Sequence, residues 1–262
     1  MTPNKPIITA ILIVASLMSY PRLSLAQLNQ SSNSDSIDIR FVLANPPLPN
    51  NGTPKTTLGT GTRGDCLYKE GNPPLTHLGG EKNFELTVSE YPTFWVYVPY
   101  TSQEAPSGEF SLQDGEDDVY RTRFQLPAKP GIVSISLPAT AKPLEVGKTY
   151  RWYFEINCPA SNSINQKTPA SVSGIVKRVS PSTQLTEELK NAKTPVQRIT
   201  AYAKYSIWYD TLTELAQLRL NEPKNPAIEK LWIEILTDEH IGLNNIAPQP
   251  ISGSVITSSP PK

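Results

Sequence analysis

At 262 residues the chain has room for one or two domains. Its 24 Lys+Arg balance 24 Asp+Glu, so no net field steers it to nucleic acid or to an acidic membrane surface. Hydrophobic content of 38% is below the globular average and 26 prolines are many, which favours edges, turns and tails over long elements.

The first signal is an address. Lys5, the apolar run Ile7–Met18 and the small-x-small site Ser24-Leu25-Ala26 read as a secretory signal over 1–26, cleaved after Ala26. The run is shorter than the ~20 residues that span a bilayer, and no later run is long or apolar enough. No Cys follows it, which argues against a lipoprotein anchor. The expected location is the periplasm or the cell exterior. In that oxidising space Cys66 and Cys158 read first as one disulfide, with two buried free thiols as the alternative. Closing so long a loop adds at most roughly 4–5 kcal/mol.

Residues 27–64 are polar and punctuated by Asn45-Pro-Pro-Leu-Pro-Asn-Asn-Gly-Thr-Pro and Gly59-Thr-Gly-Thr-Arg-Gly64, which reads as a disordered leader with at most a lone strand near Ile37–Leu43. From 65 to 180 the apolar residues recur at every second position. Phe84, Leu86 and Val88 alternate; Thr93–Pro99 is apolar on both faces, as in an interior strand; Phe110–Leu112, Tyr120–Leu126 and Val133–Leu137 follow. The central strand is the run from Tyr150, with Tyr150, Trp152, Phe154 and Ile156 on one face and Arg151, Tyr153, Glu155 and Asn157 on the other. A last strand covers Val172–Val179. About seven short strands between Gly, Pro and Asp clusters predict an antiparallel β-sandwich. Leu144-x-x-Gly147-x-x-Tyr150 resembles the tyrosine corner of immunoglobulin- and fibronectin-like domains, although Val146 replaces the usual Pro and the Cys66–Trp95–Cys158 spacing does not fit the antibody disulfide.

Past Pro181 the spacing turns helical. Ser180-Pro181 opens a short helix through Leu185 and Leu189. Thr194-Pro195-Val196-Gln197 is a capping box. Val196, Ile199 and Ala203 share one face; Trp208, Leu212, Leu215 and Ala216 share another. Asn225-Pro226 caps a third helix carrying Ile228, Leu231, Trp232, Ile235 and Leu236. The segment 181–246 resembles one tetratricopeptide-like unit, which cannot bury its own face and must pack on the sandwich or on a partner. Residues 247–262 end in Pro and Ser and are expected to fray.

Several of these motifs occur together in one known family. Gly61-Thr-Arg-Gly64-x-Cys66, Pro92–Tyr100, Val119-Tyr-Arg, Pro130–Val133, Leu144–Tyr153 and Ile207-Trp-Tyr-Asp210 together resemble the exported, mainly cyanobacterial family catalogued as domain of unknown function 928, over about Gly61 to Ile246. That resemblance implies export and a bacterial envelope setting, and no activity, cofactor or site.

No catalytic constellation is expected. His77 falls in a predicted loop and His240 after the last helix, neither at ligand spacing for zinc, and both read as solvated. Asp114-Gly-Glu-Asp-Asp118 reads as a hairpin turn, with calcium binding as the alternative; paired with Glu104 or Glu109 it is the basis of a remote hydrolase reading. Tyr91, Trp95, Tyr97, Tyr100 and Tyr153 form a candidate aromatic face for a protein or a sugar, or a surface covered by the helices. The expectation is therefore an α+β protein, a β-sandwich with a helical addition, acting without cofactor or metal as an exported, non-enzymatic interaction module. Its partner is expected to be a protein, or otherwise a carbohydrate or envelope polymer.

Overall fold

In chain order the strands are β1 (Cys66–Leu67), β2 (Thr76–His77), β3 (Leu86–Thr87), β4 (Thr93–Val98), β5 (Ser107–Asp114), β6 (Asp117–Gln125), β7 (Gly131–Ser136), β8 (Thr149–Asn157), β9 (Lys167–Thr168) and β10 (Ser171–Arg178). Four helices follow, α1 (Thr183–Asn191), α2 (Pro195–Lys204), α3 (Trp208–Asn221) and α4 (Pro226–Leu236), and then strands β11 (Ile251–Ser254) and β12 (Ile256–Thr257). This computed structural model describes residues 66–67, 69–79, 85–159, 167–168 and 170–258, all within one packed unit. The signal sequence and leader expected over 1–64 lie outside the described residues.

Six strands form one sheet in the order β12-β6-β5-β8-β10-β3, four form another in the order β11-β7-β4-β2, and β1 pairs with β9. The fold is thus mixed α+β, with most of the strands in the N-terminal part. Strand β8 lies inside the larger sheet between β5 and β10. Its inward row, Tyr150, Trp152, Phe154 and Ile156, is at most 2% exposed. Burying Phe154 and Ile156 alone is worth about 2–3 kcal/mol each. Phe94 and Val96 from β4 and Val133 and Ile135 from β7 join the same core, so the two sheets share one apolar interior. Phe94, Phe110 and Trp152 meet there with ring centroids 5.0–6.3 Å apart. Gly174 on β10 lies opposite Trp152, where a Cβ would approach the indole to 2.7 Å. The missing side chain is the space the indole occupies.

Strand β4 is apolar on both faces because it is covered on both. Its other row, Trp95 and Tyr97, joins Ile132, Trp208, Leu212, Leu215, Trp232 and Ile235 in a second core between the four-stranded sheet and the helices. All four tryptophans are buried, and each indole N–H has a partner: Thr213 Oγ1 for Trp95, Tyr209 Oη for Trp152, and the Leu78 and Ala247 carbonyls for Trp208 and Trp232.

The helices start where side chains take up their free N–H groups. Ser182 accepts from Leu185 N–H, Thr194 and Gln197 form the reciprocal capping box, and Asn225 accepts from Ala227 N–H. The apolar faces read around Ile199 and Trp208 belong to two helices, parted where Ser206 takes φ 57°. Helix α3 has no capping side chain at Ile207.

Two expectations are corrected here. Residues 247–262 do not fray over their described part: Ile251–Ser254 runs parallel to β7 and Ile256–Thr257 pairs antiparallel with β6. The Ile132 N–H also bonds to the Pro250 carbonyl at 2.8 Å. Those backbone groups of β6 and β7 need partners, and a proline-rich tail can still supply a few extended residues between its prolines. His77, expected in a loop, lies in β2 opposite Val96. No helix among the described residues is long and apolar enough to cross a membrane.

Candidate functional site

The aromatic set does not form a binding face. Trp95, Tyr97 and Tyr100 are 5%, 2% and 3% exposed. Trp95 and Tyr97 lie under the helices, while Tyr100 sits in the core between the sheets and donates from its hydroxyl to the Leu67 carbonyl at 2.9 Å. Tyr153 is on the opposite face of the larger sheet, half-buried between Ser111 and Ser173. The four belong to three separate environments because helices cover the outer row of β4. Local alternation does not report that layer.

Cys66 and Cys158 form a disulfide across 92 residues of sequence, with Cys66 fully buried. Leu144 is buried, Gly147 turns with φ +84°, and Tyr150 Oη accepts a hydrogen bond from Glu145 N–H at 2.9 Å. Asp114 and Asp117 close a two-residue hairpin over Gly115 and Glu116, with φ +64° at Gly115. Two carboxylates of the acidic run are held by cations: Lys148 holds Asp114, and Arg121 holds Asp118 together with Glu109 from β5. Glu104 pairs with Lys69. Among the described residues no group of three or more His, Cys, Asp or Glu side chains is placed to hold a metal ion.

His77 is 8% exposed rather than solvated. Its Nδ1 accepts from Gly79 N–H at 3.1 Å, and its ring packs edge-on against Trp152 at 5.5 Å. Burial drives the imidazole down from 6.5 to about 4, so the ring is neutral at physiological pH. His240 is half-buried, with Nδ1 3.0 Å from Asp238.

The feature that brings chemistry together is a cleft of about 180 Å³ between the stretch Thr87–Thr93, which links β3 to β4, and helices α2 and α3. Along α3 it is lined by Asp210, Thr213, Glu214 and Gln217, at i, i+3, i+4 and i+7, which is one face of a helix. The opposite α3 stripe of Trp208, Leu212, Leu215 and Ala216 is sunk in the second core. Thr87, Ser89 and Tyr91 face the cleft from the sheet side, and Tyr202 faces it from α2.

Asp210 lies in the uncapped first turn of α3. Its Oδ2 accepts from Thr87 Oγ1 at 2.7 Å and from Val88 N–H at 3.2 Å. Thr87 Oγ1 in turn accepts from Ser89 N–H at 3.0 Å, so the β3 end is stitched to the helix through one carboxylate. Burial raises the Asp210 carboxyl from 3.8 to about 6; the bonds from Thr87, Val88 and its own N–H oppose this without offsetting it. One turn on, Glu214 receives the Arg198 guanidinium at 2.6 Å. Burial also raises the Tyr202 hydroxyl above its ordinary value.

Beside Asp210, Tyr209 points into the core between the sheets. Its hydroxyl accepts from Trp152 Nε1 at 2.8 Å and donates to the Ile175 carbonyl at 2.7 Å. The α3 face that carries the cleft is thereby fixed to β8 and β10. Tyr209→Phe keeps the ring against Phe94 but leaves a buried N–H and a buried carbonyl each short of a partner. The expected loss is about 2 kcal/mol of unfolding free energy in denaturant titration. A loss below about 0.5 kcal/mol would show that the bridge does not hold the helix.

The residues at 210, 213, 214 and 217 are absent from the sites expected from sequence. The motif Ile207-Trp-Tyr-Asp210 and a polar i, i+3, i+4, i+7 row on α3 were the available signals, and such a row ordinarily means a solvated helix face. No curated protein and no solved structure matches the chain. Residues 58–251, which include the disulfide, the whole cleft and nearly all of both cores, match the model of the family described as Domain of Unknown Function (DUF928), and the chain belongs to that family.

Proposed function

We propose that this protein is an exported, non-enzymatic interaction module of the bacterial envelope, and that a partner protein docks over the cleft between the Thr87–Thr93 stretch and α3. The observation that carries the reading is the size and lining of the cleft. At about 180 Å³ it is smaller than the ~300–1,000 Å³ of sites that enclose free small molecules, and its walls are mostly hydrogen-bonding side chains from the Thr87–Thr93 stretch, α2 and α3. A recess of that kind suits one projecting side chain of a larger surface. The signal sequence read over 1–26 supports export, as does a disulfide, which persists in oxidising compartments.

In this reading the β part is an immunoglobulin- or fibronectin-like sandwich, supported by the shared core of the two sheets and by the Leu144–Gly147–Tyr150 turn. The helices act as a tetratricopeptide-like unit that uses the sheet in place of neighbouring repeats, supported by the second core. The carbohydrate alternative loses its motivating face, since Trp95, Tyr97 and Tyr100 are buried. The hydrolase alternative loses its paired carboxylates, since Glu104, Glu109 and Asp118 are held by Lys69 and Arg121.

Photo-crosslinking in the native cells tests the proposal. A benzophenone side chain placed at Gln217, on the cleft rim, is expected to give a defined adduct in the extracytoplasmic fraction. The same group at Arg123, whose side chain is 83% exposed on the larger sheet, is expected to give none. Identical adduct patterns from both positions, or adducts confined to the cytoplasm, would overturn it.

A further inference from the structure

The cleft has a charge pattern that singles out one class of occupant. It holds two carboxylates, and only one has a counter-ion. Glu214 is neutralised by Arg198, whereas Asp210 makes no ion pair among the described residues and has only hydrogen-bond donors around it. Asp210 is half-buried, and a carboxylate drawn out of water is normally paired, because desolvating the charge is costly without a cation to offset it. The other charged and titratable groups nearby are few. Tyr209 and Glu214 come from α3, Arg198 and Tyr202 from α2, Tyr91 from the stretch before β4, and Glu85 is buried just ahead of β3. None supplies Asp210 with a positive charge.

The aromatic walls point the same way. Tyr91 and Tyr202 both line the cleft, and electron-rich ring faces attract cations. Tyr202 already takes the Arg198 guanidinium, 5.7 Å from its centroid. Carboxylate, hydroxyls and tyrosines around a recess the size of one side chain make a receptor for an alkyl ammonium or guanidinium group. Two carboxylates without a third ligand do not make a hard-cation site, which takes six or more oxygens.

We infer that the partner inserts a lysine or arginine side chain into this cleft, with its cationic head on Asp210 and its stem against Tyr91 and Tyr202. This rests on the docking reading above and names the chemistry of its anchor. The cation supplies the missing counter-charge, so insertion favours the ionised carboxylate and releases a proton wherever Asp210 was protonated. With a free carboxyl near 6, a ligand selective for the ionised form binds about tenfold more weakly at pH 5 than at pH 7.5.

The test uses the mature chain and four probes: Nα-acetyl-lysine amide, Nα-acetyl-arginine amide, the neutral Nα-acetyl-norleucine amide, and n-butylamine. Backbone amide shifts of Val88 and Asp210 report occupancy. The basic amides are expected to bind, about tenfold more weakly at pH 5, and the norleucine amide is expected not to. Asp210→Asn is expected to abolish binding. Gln217→Lys, at an exposed rim position where folding is not at stake, is expected to do the same by placing an ammonium in the recess. Equal binding of the norleucine amide, binding that survives both variants, or a flat pH dependence overturns the inference. So does n-butylamine binding as tightly as the lysine amide, which would make a free amine the ligand. A Gln217 adduct that is unaffected by Asp210→Asn would overturn the basic anchor and leave the docking reading standing. Probes that bind where no rim-specific adduct forms would overturn a partner as the source of the cation.

Discussion

Replacing Cys66 and Cys158 together by alanine is expected to lower the unfolding free energy by about 4 kcal/mol. The bond closes 92 residues of sequence, and loop-closure entropy withheld from the unfolded chain grows with the logarithm of that length. The native side of the argument is as important. Cys66 belongs to β1, a strand of two residues whose ladder partner β9 is equally short. Two such pairs contribute little, so the covalent bond is the main tie between this end of the chain and the end of β8. Cys66 is also fully buried in the core between the sheets, and truncation leaves that site short of a sulfur. For a domain of this size, about 4 kcal/mol corresponds to a fall in Tm of roughly 8–16 °C. Calorimetry of the double variant, and of the native chain with and without reductant, measures it. A shift equivalent to less than about 1 kcal/mol would show that the sheets hold the segment without the bond.

The second large effect is hidden in the native protein and appears only when one of two residues is removed. His77 has its pKa depressed from 6.5 to about 4 by burial. The folded state resists its protonation, so its contribution is intact above pH 6.5 and is lost as pH falls toward 4, by about 3 kcal/mol. Asp210 has its pKa raised from 3.8 to about 6. The folded state holds that proton more tightly than the unfolded chain does, so stability rises as pH falls from 6 toward 3.8, again by about 3 kcal/mol. The two windows overlap and the signs oppose. Native stability is therefore expected to be nearly flat from pH 6.5 to 4. Asp210→Asn is expected to expose a fall of about 3 kcal/mol over that range, and His77→Gln a rise of similar size. The slope of unfolding free energy against pH is the readout, because each substitution also shifts the baseline. Exposed carboxylates held low by cations, Asp118 by Arg121, Glu145 by Lys142 and Glu188 by Lys204, add an acid loss common to all three proteins. Parallel pH profiles for the native chain and Asp210→Asn would remove Asp210 from the account.

How much of this was legible beforehand depends on the range of the interaction. The alternation of β8, the apolar run of β4, the capping box at Thr194, the N-cap at Asn225 and the hairpin at Gly115 are each written in a few consecutive residues, and period and turn chemistry report them directly. His77 was misplaced because a strand of two residues has no period to read. The proline-rich end was misplaced because its strands exist only where the edges of β6 and β7 receive them, more than a hundred residues away in sequence. Trp95 and Tyr97 look the same in sequence whether a helix covers them or water does.

The amino-acid pattern by itself determined the long elements with a clear period and the shift from sheet to helix after Pro181, because each follows from local spacing; for the two cysteines it left a disulfide or two free thiols, and the structure shows the bond. Only the tertiary structure decided that the outer row of β4 is interior, that the chain end closes both sheets, and that the polar row from Asp210 to Gln217 lines a cleft instead of facing solvent. The reason is that burial of a side chain depends on what lies opposite it, and here the opposing surface comes from a part of the chain that no local period relates to it.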